Sequence, residues 1–155
     1  MNKVEVWLLH VSTFWLSATG LIYASMHYLM EPVDPFSVVN HPWEPYMIAA
    51  HIVVAPVLVL VVGLIVHSHI IWKLENGARI ARKSGIFLMP LFAVMVVSGY
   101  LLQVITGTGH PAVVWIHLIS GTLWFMSFIV HQISSLRFKR SMAAQNAQLR
   151  NRVGA

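Results

Sequence analysis

The segment from Ala112 to Ser134, AVVWIHLISGTLWFMSFIVHQIS, is apolar enough to span a bilayer, yet it carries two histidines, His117 and His131, fourteen residues apart. At 100° per residue the second side chain returns to within about 40° of the first, and the rise separates the two by about 21 Å. Two imidazoles therefore face one direction at two depths. An ionisable side chain within a membrane span is costly, so it marks a functional site and calls for a named partner.

The rest of the chain fits a membrane protein. Of 155 residues, 57% are hydrophobic and 10% charged, too apolar for a soluble globule. Four apolar stretches predict spans at about 6–30, 46–72, 85–106 and 112–134, each long enough to cross the hydrocarbon layer as a helix. Pro56 is expected to kink the second span, a feature that membrane helices tolerate. Short loops without an obvious internal repeat make neighbouring spans antiparallel. The expected fold class is therefore all-α, a transmembrane up-and-down four-helix bundle. Residues 1–136 form this domain, and 137–155 form a basic tail that extends the fourth helix into water.

Cations set the orientation. All ten Lys and Arg lie in the amino-terminal segment, in the loop 73–84 and in the tail, whereas the acidic loop 31–45 and the turn 107–111 have none. By the positive-inside rule the N and C termini are cytoplasmic, and the protein is multi-pass in a bacterial inner membrane. Trp7, Tyr28, Trp43, Tyr46, Trp72 and Trp115 near the span ends supply an aromatic belt. This distribution explains the net charge of +5 without nucleic acid as a partner.

With orientation fixed, depth sorts the histidines. His10 lies four residues inside the start of the first span, and His131 lies at a similar distance from the cytoplasmic end of the fourth. His51 and His117 each lie five residues inside the outer start of their spans. Two level pairs, one near each membrane face, suit two haems, each iron taking one axial imidazole from either side of the ring. The chain has no cysteine, so attachment through C-x-x-C-H is excluded and the haem is b-type. Gly20, Gly63, Gly99 and Gly121, one per span, are candidates to let a porphyrin lie against backbone.

His67 and His69 lie at the cytoplasmic end of the second span. Eighteen steps put His69 in phase with His51, so it is an alternative inner ligand to His10, whereas His67 points elsewhere. Either residue also suits a quinone pocket, a haem propionate contact or a simple interfacial position. His27, His41 and His110 lie near the outer surface. Lys73, Arg79 and Arg82 are candidates to neutralise inner propionates.

Histidines placed early in spans one and two, with two more fourteen residues apart in span four, resemble the di-haem cytochrome b subunits of formate dehydrogenase-N and of membrane-bound nickel-iron hydrogenases. The resemblance covers about residues 6–134. It implies that His51 and His117 hold an outer haem and His10 and His131 an inner one, the pairing that depth gives independently. It further implies a membrane anchor that passes electrons from an outward-facing iron-sulfur or multi-haem subunit to menaquinone or ubiquinone. The quinone site is then expected beside the inner haem, near Asn76, Gly77 and Arg79. Alternatives from other classes are a cytochrome b561-like reductase acting alone, a His-lined transporter and a haem-free anchor. The apolar side chains that largely fill the interval between His117 and His131 disfavour a continuous polar track, although Ser120, Thr122 and Ser127 interrupt them.

Overall fold

A computed structural model describes residues 2–32, 34, 36–75 and 82–153, with the backbone alone at 74, 82 and 83. Regular structure among these residues is entirely helical, and four helices are long and apolar enough to cross a membrane. The chain divides into two compact units, Met1–Trp72 and Lys73–Ala155, each built around a helical hairpin.

In the first unit, α1 (Lys3–Leu29) starts at a capping box. The Asn2 side chain accepts from the Glu5 N–H at 2.8 Å, and the Glu5 carboxylate accepts from the Asn2 N–H at 2.9 Å. Both donors would otherwise be orphaned at the helix start. The helix ends at Met30, where the backbone turns extended ahead of a proline-rich connection. In α2 (Glu44–Ile65), Pro45 sits in the first turn, where its missing N–H forfeits no helical bond. The helix runs through Pro56 and then widens into a π-helical segment, Val66–Ile71, before one last α turn at Trp72–Glu75. The Trp72 N–H reaches back five residues to the His67 carbonyl, the signature of that wider turn. Leu9, Leu16, Leu58, Val61, Val62 and Ile65 are the buried apolar residues of this hairpin, with Ser12, Thr13 and Thr19 buried among the small ones. Small residues let two helices approach closely where lipid offers no hydrophobic drive.

The connection between α1 and α2 is fastened by one carboxylate. Glu44, buried at the start of α2, accepts from His27 Nδ1 of α1 at 2.6 Å and from the Asn40 N–H at 3.1 Å. The Asn40 side-chain amide in turn donates to the His27 carbonyl at 2.7 Å, and Tyr23 stacks on the His27 ring.

In the second unit, α3 (Arg82–Leu101) pairs with α4 (His110–Val153). Met95, Trp124 and Phe128 form its buried apolar centre, where the Phe92, Trp124 and Phe128 rings follow one another at centroid distances of 5.7 and 5.5 Å. Elsewhere the hairpins present large apolar side chains outward: Phe14, Leu60, Val97 and Ile119 are all more than half exposed. Such side chains suit contact with acyl chains.

The third span ends earlier than the apolar run suggests, at Leu101 rather than 106. Backbone bonds from the Gln103 N–H to the Tyr100 carbonyl and from the Val104 N–H to the Leu101 carbonyl tighten the last turn. Thr106 is extended, and Gly107 has φ 76°, a left-handed value natural to glycine, at the start of a 3-10 turn over Gly107–Gly109. The fourth helix runs on to Val153, as the expected helical tail requires.

The Glu44 fastening predicts that Glu44→Ala lowers stability by roughly 1.5–3 kcal/mol, the usual worth of hydrogen bonds to a charged group. Glu44→Gln, which keeps an acceptor, should lose less. Unfolding midpoints of both variants in detergent micelles would measure the difference.

Candidate functional site

Helix α2 carries His51 as its eighth residue, and α4 carries His117 as its eighth. In the first unit, His51 Nδ1 lies 3.0 Å from the Leu16 carbonyl of α1 and 3.3 Å from the Thr19 hydroxyl. In the second, His117 Nδ1 lies 3.0 Å from the Met95 carbonyl of α3 and 3.2 Å from the Ser98 hydroxyl. A carbonyl oxygen only accepts, so Nδ1 is the protonated nitrogen of each ring. The neutral imidazole then keeps its lone pair on Nε2.

Glycine makes this approach feasible. A Cβ placed on Gly20 would stand 2.7 Å from His51 Cε1, and one on Gly99 would stand 3.0 Å from His117 Cε1. Both imidazoles occupy the space that a side chain would need. This changes the reading of the four span glycines. Gly20 and Gly99 receive a histidine ring rather than a porphyrin, Gly121 faces Met95, and only Gly63 has open space before it.

The other two predicted ligands are held differently. His10 Nδ1 donates to the Val6 carbonyl one turn back in its own helix, at 2.7 Å, so its Nε2 is also the lone-pair nitrogen. His131 Nδ1 lies 2.9 Å from the Ser84 hydroxyl, with Gly85 at ordinary contact distance from the ring. Lys73 lies within electrostatic reach of His131. His10 and His51 thus belong to the first hairpin, and His117 and His131 to the second.

His67 and His69 both fall in the π segment, His67 exposed and His69 half-buried. Its wider turn invalidates the uniform 100° step, so the phase relation between His51 and His69 does not hold. π turns inside α-helices recur at functional sites, a signal absent from hydropathy. Asn76, Gly77 and Arg79 lie outside the described residues. In and beside the connection between α1 and α2, His27 is occupied by Glu44, and His41 Nδ1 accepts from the Trp43 N–H at 3.1 Å, so His41 has the opposite polarity at that nitrogen.

Among the described residues, no three His, Asp or Glu side chains converge to hold a metal ion by themselves. What the arrangement offers is separate imidazoles, those of His10, His51 and His117 with the tautomer fixed by a carbonyl at Nδ1. Such outer bonding at Nδ1 characterises metal-ligating histidine, since it orients the ring and raises its basicity. Family models, curated proteins and solved structures give no match to this chain.

Sequence reasoning missed the receptor for these rings. Leu16-x-x-Thr19-Gly20 and Met95-x-x-Ser98-Gly99 are the same pattern in two hairpins, and the spacing was visible in the chain. Gly20→Ala and Gly99→Ala should each destabilise the protein by about 1–3 kcal/mol through overpacking, whereas Gly63→Ala should be neutral or mildly stabilising. A comparison of unfolding midpoints for the three variants tests this.

Proposed function

We propose that the protein is a membrane-anchoring di-haem b electron carrier of a respiratory oxidoreductase complex, moving electrons between an outward-facing redox partner and the quinone pool. One observation carries the reading: His10, His51 and His117 all commit Nδ1–H to a helix carbonyl, and His131 engages a hydroxyl at the same nitrogen. Three of the four histidines chosen by depth make the Nδ1 donation expected of axial ligands, and the Ser84 hydroxyl is able to accept the same bond from His131.

The pairing follows from position. In an up-and-down arrangement α2 and α4 enter from the same, outer face. His51 and His117 are each the eighth residue of their helices, and the reading assigns them to the outer haem. His10 and His131 serve the inner one. Bound haem supplies a one-electron iron couple. The chain contributes the ligands, three of them with the tautomer fixed by a carbonyl, an apolar surround and, near His131, the cation Lys73 to balance a propionate. In this reading His67 and His69, on the π segment, meet quinone at the cytoplasmic side, and lipid covers the exposed apolar faces. The partner is an iron-sulfur or multi-haem subunit, and the setting a bacterial inner membrane with both termini inside.

Purified protein should give a dithionite-reduced minus oxidised spectrum of b-type haem, with two haems per chain by pyridine haemochrome. His51→Ala and His117→Ala should each remove the same haem, and His10→Ala and His131→Ala the other. A haem-free preparation that still folds, or loss of one and the same haem from the His51 and His10 variants, overturns the assignment.

A further inference from the structure

We infer that Thr19 and Ser98 are positioning residues that set the reduction potential of the outer haem by sharing the Nδ1 protons of His51 and His117, an inference that rests on the haem reading above. Both side chains are buried, at 5% and 3% exposure. Each hydroxyl first serves its own helix. Thr19 Oγ1 donates to the carbonyls of Trp15 and Leu16 at 2.8 and 3.1 Å, and Ser98 Oγ donates to those of Val94 and Met95 at 2.7 and 3.0 Å. With its single proton spent there, the oxygen can only accept from the imidazole, at 3.3 Å for Thr19 and 3.2 Å for Ser98.

Each Nδ1–H is therefore shared between two acceptors, a carbonyl and the hydroxyl three residues further on. The hydroxyl that accepts from the ring also donates to that same carbonyl, so the three groups close a small network in which each bond orients the others. The following glycine admits the ring to the space that a Cβ would need. The device occurs twice, on the two ligands assigned to one haem.

A further hydroxyl-glycine pair, Ser84 and Gly85, meets His131 in a related way, but with the glycine more loosely apposed. The residue corresponding to Leu16 and Met95 there is Ala81, outside the described residues. His10 uses a carbonyl of its own helix. The outer ligands thus form a matched set and the inner ligands a mixed one.

The chemical consequence has a definite sign. Acceptors on Nδ1–H make an imidazole more basic, and a more basic ligand favours ferric over ferrous iron. Removing the hydroxyl acceptor should therefore raise the potential.

The test is a redox titration of the haem-loaded, full-length protein carrying Thr19→Val, Ser98→Ala or both, beside Thr19→Ser and Ser98→Thr. One haem should titrate at a higher potential in the Val and Ala variants, furthest in the double variant, while the second haem keeps the parental midpoint. The Ser and Thr exchanges should stay close to parental. Unchanged midpoints with both haems retained overturn the inference and leave the di-haem reading intact. Absence of haem from the parental protein overturns both. Should Thr19→Val or Ser98→Ala shed a haem, its retention in Thr19→Ser or Ser98→Thr supports the positioning role, and its loss there too overturns it.

Discussion

An imidazole N–H buried in a hydrocarbon setting must find an acceptor, and here it finds one on the neighbouring helix. Helical carbonyls already accept from the residue one turn ahead, but each has a second lone pair. Leu16 and Met95 use that spare capacity for His51 and His117, so neither helix has to open to satisfy the ring. The bond requires the ring to reach the helix backbone, and the small residue beside it permits that. Local sequence, helix spacing and ligand chemistry are joined at this one contact.

Much of this was legible from residue order. The four spans follow from apolar runs bounded by prolines, cations and turn formers, because length and hydropathy decide what can cross a bilayer. The candidate ligands followed from depth once the spans were set. The ends were less legible: residues 102–106 are as apolar as a helix interior, yet turn bonds after Leu101 and the left-handed Gly107 stop the helix there. The π segment was invisible, since its residues have the same hydropathy as any α turn, and so a phase argument extended through it failed for His69.

The Ser/Thr-Gly receptors were visible as letters but not as a site. Glycine, serine and threonine are ordinary in membrane helices, where they serve close packing. Gly63 and Gly121 show how little the residue type decides: one faces open space and the other a methionine. Only the placement of a ring against Gly20 and Gly99 distinguishes a receptor from a packing contact. A search for Leu/Met-x-x-Ser/Thr-Gly facing a histidine on the antiparallel neighbour would have found both.

Helix α4 continues without interruption from His110 to Val153, about 66 Å at the usual rise, roughly twice the thickness of a hydrocarbon core. His117, His131 and the tail arginines Arg137, Arg140, Arg150 and Arg152 therefore share one axis and one ladder of backbone bonds. One uninterrupted helix thus carries both the apolar stretch and the basic one, and about half of its length must lie beyond a hydrocarbon core.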